Sequence, residues 1–177
     1  MTHYFITGNK NKFEEVKSIL QNVKQLDIDL PEIQDIDAHE VVKAKLLEAL
    51  NHKKGDFIVE DTSLYLDCLN GLPGPLIKWF MKTIGNEGLY KLADKLDNDK
   101  AWAKTIVGYA KNRKDIHFFE GVVKGKIVSP KGKSGFGWDP IFKPDRASKS
   151  FAEMDSTEKN AISMRRIALN KLKKFMG

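Results

Sequence analysis

A single cysteine, Cys68, leaves no internal disulfide framework, and its isolation fits a reducing, cytoplasmic setting. No apolar run approaches the roughly 20 residues of a membrane span. The opening residues 1–7 lead straight into a strand-like run and lack the long apolar region of a signal peptide. Histidine is sparse and scattered (His3, His39, His52, His117), with no HExxH or paired spacing, which argues against zinc. Glycine fingerprints are missing too. Gly132-Lys133-Ser134 looks like the end of a P-loop, but that motif needs a glycine where Ile127 stands, and there is no GxGxxG. Kinase, P-loop ATPase and Rossmann readings therefore lack their signatures. Repeats, linkers and low-complexity stretches are equally wanting.

What is present suits one α/β domain over residues 1–177. The chain is 41% hydrophobic and 31% charged, and long enough to bury a sizeable core. Its net charge of +6 fits polyanionic partners such as nucleotides or nucleic acid, and it equally fits a solvated lysine face.

The apolar run Tyr4-Phe5-Ile6 predicts a buried strand, closed by Thr7-Gly8-Asn9 and followed by helical spacing at Phe13, Val16, Ile19 and Leu20. A helix entered through Gly and Asn offers free N–H groups to a phosphate, and equally describes an ordinary capped turn. Leu26, Ile28 and Leu30 alternate with aspartates, predicting a strand that ends at Pro31 and delivers Glu32. A second helix through Val41, Val42, Leu46 and Leu50 carries Lys45, with Asp37 as its cap. Phe57-Ile58-Val59 predicts a short strand ending at Glu60 and Asp61. After the turn Asn70 to Pro75 comes a helix with Lys78, and a fourth spans Leu89 to Leu96. Thr105–Ala110, His117–Phe119 and Val122–Val128 read as an antiparallel meander. A glycine-aromatic loop follows, then one closing helix from about Ser156, which is expected to be its N-cap.

Ligands of α/β sheets bind beyond the carboxyl ends of strands. Two acids there, Glu32 and Asp61, could share Mg²⁺, which keeps several waters and takes its other ligands from phosphates. Lys12, Lys45 and Lys78 add the cations a triphosphate requires. In Phe136-Gly137-Trp138-Asp139, glycine lets a ring lie flat on a base and an acid can accept a base N–H. The same loop could instead be a turn whose aromatics are core.

Together these segments resemble the inosine triphosphate pyrophosphatase family from Phe5 to Arg166. The carriers are Thr7-Gly8-Asn9 with Lys12, Leu30-Pro31-Glu32, Val59-Glu60-Asp61-Thr62, Gly71-Leu72-Pro73-Gly74-Pro75 with Lys78-Trp79-Phe80, Gly135 to Pro140, Phe151-Ala152-Glu153-Met154 and Glu158-Lys159-Asn160-Ala161. Each is weak alone; in one order at compatible spacing they are very specific. The resemblance implies an elongated two-lobed α/β domain with a long mixed central sheet flanked by helices, a nucleotide cleft between the lobes, and a homodimer. It also implies Mg²⁺-dependent hydrolysis of ITP, dITP and XTP to the monophosphate and pyrophosphate; no membrane and no stable nucleic-acid partner is expected. By motif match, Thr7, Gly8, Asn9, Lys10, Asn11 and Lys12 would hold the triphosphate, helped by Lys45. Glu32 and Asp61 would bind the metal, with Asp61 also the base for the attacking water. Thr62, Lys78, Phe136, Gly137, Trp138, Asp139, Lys159, Met164 and Arg165 would surround the nucleotide. Glu60, the neighbour of Asp61 on a strand of period two, is expected to point elsewhere.

One position departs from the family pattern, which closes on Ser-His-Arg where this chain has Ser163-Met164-Arg165. That histidine helps read the 6-oxo group of the base. Methionine cannot donate a comparable hydrogen bond, so weaker discrimination against ATP or GTP is expected. Two other classes compete. A basic nucleic-acid-binding domain would explain the lysines but not Glu32 and Asp61, and a Maf-like pyrophosphatase would not explain the Phe136–Asp139 loop.

Overall fold

The computed structural model describes residues 2–135 and 137–177, with the backbone alone at Asn11. In chain order it contains β1 (His3–Ile6), α1 (Lys10–Ile19), β2 (Val23–Leu26), α2 (Ala38–His52), β3 (Asp56–Leu66), β4 (Pro73–Gly74), α3 (Ile77–Thr83), α4 (Gly85–Lys95), β5 (Lys100–Asn112), β6 (Asp115–Ile127), β7 (Phe142–Pro144), α5 (Ser156–Ile162) and α6 (Met164–Met176). The seven strands form one mixed sheet in the order β2–β1–β3–β5–β6–β7, with β4 paired to β3 off that path. β1 runs parallel to β2 and β3; the pairs from β3 to β7 are antiparallel. No helix among the described residues is long and apolar enough to cross a membrane.

The shortness of β1 decides where the cleft opens. Its parallel ladder with β3 ends at Phe5 and Ile58, yet β3 continues to Leu66 along β5. Glu60 and Asp61 thus sit mid-strand, where β3 leaves β1 behind, and not past a strand end as the apolar run predicts. Thr62 and Ser63 disguise the continuation in the sequence. The edge strand β2 stops at Leu26, opposite Ile6, because β1 offers no further partner. Ile28 and Leu30, expected to extend it, lie instead in the irregular segment 27–37.

Alternation along β3 assigns its two acids to opposite faces. Ile58 packs with Phe5, Val16, Leu20, Ala168 and Leu169 of β1, α1 and α6. Phe57 and Val59 pack with Val42, Leu46 and Ala49 of α2. Glu60 shares the face of Ile58, and Asp61 that of Val59. Farther along, Leu64 and Leu66 join a third cluster with Ile77 and Leu89 of α3 and α4, plus Phe142 and Phe151. The helices therefore cover the sheet at two ends, and the site lies between them.

Two glycines let helices approach the sheet closely. A Cβ on Gly108 would lie 2.5 Å from Val42 Cγ1 of α2. One on Gly121 would lie 1.8 Å from the Met164 carbonyl oxygen and 2.8 Å from the Ala168 nitrogen. The first turn of α6 thus rests on the backbone of β6.

The predicted meander is two strands of 13 residues each, turning at Arg113 and Lys114. The Asp37 cap of α2 is present, its carboxylate accepting from the His39 N–H. The closing helix is two helices. Asp155, not Ser156, caps α5 in a capping box with Glu158, and Ser163 caps α6 by accepting from the Arg166 N–H.

Candidate active site

The turn from β1 into α1 is built by short polar side chains. Thr7 Oγ1 accepts from the Asn9 N–H at 3.1 Å, and Asn9 Oδ1 accepts from the Lys12 N–H at 3.2 Å. Asn9 is therefore a helix cap, while Lys10 is exposed. Thr7, Gly8 and Lys12 line a cavity of about 580 Å³ that also receives Glu32, Lys45, Glu60 and Lys78. A smaller adjoining cavity of about 160 Å³ adds Asp61 and Thr62. Thr62 shares a 2.8 Å hydroxyl contact with Thr105.

On the α2 side of the sheet, Lys45 stands between two carboxylates. Its Nζ lies 2.9 Å from Glu32 Oε1 and 3.5 Å from Asp61 Oδ1. Burial pushes the Lys45 ammonium toward deprotonation, but the Asp61 and Glu32 charges outweigh it and hold its pKa above the ordinary value. Burial also works to raise the Glu32 carboxyl; Lys45 and then Lys78 (3.4 Å from Oε2) keep it below the usual range. Ser63 Oγ donates to Asp61 Oδ2 at 2.8 Å, fixing that carboxylate's orientation. Trp79 Nε1 donates to Gln34 Oε1, which ties the 27–37 segment to α3.

This donor set suits a hard divalent cation. Two anionic oxygens, from Glu32 and Asp61, already share one cationic group, the Lys45 ammonium. Among the described residues no group of three or more His, Cys, Asp or Glu side chains could hold a metal. An ion placed here would take only two ligands from these carboxylates and its others from elsewhere.

The opposite face holds a charge cluster around Glu60. Glu60 is 7% exposed and forms a fork with Arg165, at 2.6 Å from Nε to Oε2 and 3.0 Å from Nη2 to Oε1. Lys12 Nζ approaches Oε1 at 2.9 Å, and Arg165 Nη1 donates to Glu15 Oε2 at 2.8 Å. Burial would raise the Glu60 carboxyl, but Arg165 and Lys12 hold it far below the usual range. Glu60 does point away from Asp61, yet it points into the cleft's other wall. Partners 105 residues apart leave no local signal in the sequence.

Arg165 and Lys12 also line a third cavity, of about 470 Å³, with Ser134, Phe151, Lys159 and Asn160. Lys159 Nζ donates to the buried Asp139 Oδ2 and stands 5.3 Å from the Phe151 ring centroid. Gly137 accepts at its carbonyl from Asn86 Nδ2 at 3.0 Å. Trp138, expected beside a base, is 8% exposed, its ring set edge-on to Phe142 and tilted against Phe151. Met164 is 3% exposed in the same hydrophobic cluster. The expected roles of Phe136 and of the Asn11 side chain lie outside the described residues.

Comparison with known proteins shows which family the chain belongs to. The chain is similar to the inosine triphosphate pyrophosphatase of Schizosaccharomyces pombe, at 44% identity over 97% of this chain and 93% of that protein. It is 42% identical to the protein of the same name from Saccharomyces cerevisiae, over 97% and 94%. Among solved structures, it resembles a HAM1 protein from Coxiella burnetii (TM-score 0.87, 25% identity, 99% and 98% covered). The Staphylococcus aureus Ham1 protein is similarly close in shape (TM-score 0.84, 26% identity, 99% and 98% covered). The family model described as "Ham1 family" matches residues 3–175, and on that match the chain belongs to the Ham1 family.

Proposed function

We propose that the chain hydrolyses non-standard purine nucleoside triphosphates (ITP, dITP and XTP) to the monophosphate and pyrophosphate, clearing them from the nucleotide pool. The observation that carries this reading is the pair of cavities joined at Lys12. One gathers Lys12, Lys45 and Lys78 around Glu32, and the other offers Lys159 and Arg165. A polyanion end and a base end thus meet on one wall. The names of the fungal relatives support the substrate class.

Lys12, Lys45, Lys78 and the N–H groups opening α1 offset charge on the triphosphate. Asp61, oriented by Ser63, positions a water for in-line attack at the α-phosphorus and takes its proton as the new P–O bond forms. The bond to the β-phosphate oxygen breaks, and pyrophosphate leaves with that electron pair. Glu32 and Asp61 would hold a divalent cation, with Mg²⁺ the expected one; its chemistry is to neutralise the leaving group. Lys159, held by Asp139, and Arg165 face the base end.

A screen of nucleoside triphosphates with Mg²⁺, assayed separately for pyrophosphate and orthophosphate, tests the reaction. Pyrophosphate is expected as the first product; orthophosphate would overturn the cleavage position. Selectivity is part of the same proposal. Met164 packs in the core where the family pattern has a histidine, so discrimination between ITP and ATP rests on Arg165 and Lys159 and is shallow. Met164→His is expected to raise the ITP-to-ATP ratio of kcat/KM by about tenfold. An unchanged ratio would remove Met164 from the account.

Pairing of two copies belongs to this reading as well. Beyond α2, one sheet face carries Tyr65 stacked on Trp102 (centroids 5.3 Å apart) beside the exposed Val122, a surface suited to an isologous interface. Sedimentation equilibrium should return twice the 20.1 kDa of one chain; a concentration-independent monomer would dismiss the dimer.

A further inference from the structure

A cation from each end of the cleft meets on the same carboxylate. Glu60 Oε1 accepts from Arg165 Nη2 at 3.0 Å and lies 2.9 Å from Lys12 Nζ, while Oε2 takes Arg165 Nε at 2.6 Å. With Glu15 on Arg165 Nη1, two carboxylates face two cations and the cluster is neutral. Its members differ in freedom. Arg165 is 3% exposed and held by three charge-assisted hydrogen bonds. The Lys12 side chain is 25% exposed, lines the cavities at both ends of the site and has a flexible stem. Lys12 is the member that can leave.

We propose that Glu60 is a positioning residue that joins the two ends of the cleft, fixing Arg165 at the base end while sharing Lys12 with the triphosphate. The proposal rests on the nucleotide reading above and adds to it a competition. An anion in the phosphate cavity draws Lys12 from Glu60 Oε1, and that same oxygen still anchors Arg165. The role assigned to Glu60 acts through these two cations. Asp61, its neighbour in sequence, bonds instead to Lys45 and Ser63.

The sign of the effect sets this role apart. If Glu60 supported phosphate binding, its removal would weaken anion affinity; if it only stabilised the fold, affinity per folded molecule would stay the same. Under competition, Glu60→Gln leaves Lys12 unopposed and Arg165 with Glu15 as its remaining carboxylate. Inorganic tripolyphosphate, which has no base, should then bind about fivefold more tightly by calorimetry, a coupling of ordinary size. The kcat for ITP should fall about tenfold or more, because base and phosphate are no longer held in register. Unchanged or weaker tripolyphosphate binding would overturn the proposal. Should Glu60→Gln fail to fold, Glu60→Asp keeps the charge that opposes Lys12 but is one methylene too short to hold the Arg165 fork as well. It should lose kcat by about tenfold with tripolyphosphate affinity within about twofold of the natural protein, and full kcat would overturn the proposal. Absent ITP turnover by the natural protein would defeat the function reading instead, since the tripolyphosphate titration reads the Lys12–Glu60 competition alone.

Discussion

Replacing Asp61 with asparagine should lower kcat for ITP hydrolysis by about 10³-fold while the melting temperature stays within a few degrees. Asparagine keeps the shape, and its amide oxygen can still accept from Ser63 Oγ, now 2.8 Å from the carboxylate. It cannot take a proton from water or add negative charge for a cation. The fold has little to lose, because Lys45 keeps its closer contact with Glu32 at 2.9 Å. Pyrophosphate release under saturating substrate, read beside a thermal melt, separates the two effects. A loss below about tenfold would place the base elsewhere.

The second large effect is on stability and lies outside the cavity lining. Gly121→Ala puts a methyl 1.8 Å from the Met164 carbonyl oxygen, where backbone and not a flexible side-chain tip must move. Overpacking of this kind should cost about 3 kcal/mol or more. For a chain of this length that is about 10 °C in Tm. The strain also has a direction. To relieve it, α6 must lift from β6, carrying Arg165 away from Glu60. The variant should therefore show impaired turnover even well below its melting temperature. A melt within about 2 °C of the natural protein would show that the close approach is not needed.

Much of the site could be read in the sequence because its parts are local. The turn Thr7-Gly8-Asn9, the Asp37 cap and Lys45 on the helix behind it each depend on neighbours within a few residues, and each stands where expected. Strand lengths could not be read so well. β3 hides its second half behind Thr62 and Ser63, and β6 carries Glu120, Gly121 and Lys124 through a long ladder with β5 that shifts register only near the turn, between Ala110 and Asn112. The apolar alternation breaks there because Thr62 lines the cavity, Gly121 meets α6, Glu120 pairs with His39 and Lys104, and Lys124 is exposed. The Glu60–Arg165 pair was out of reach for another reason. It joins residues whose meeting is set by the packing of α6 on β6, and nothing within a dozen residues of either one announces the other.

The placement of Glu60 and Asp61 on adjacent residues has a bearing on how such a chain can change its length over time. Losing or gaining one residue between Asp56 and Glu60 would turn both acids through the sheet, handing the partner of Arg165 to α2 and the proposed base to α6. No single substitution could repair that exchange. Insertions are free to accumulate at the Arg113–Lys114 turn, where strand ends meet solvent. The descendants of such a chain can therefore drift in loop length at one tip of the hairpin, while the spacing from Asp56 to Asp61 is held to the residue.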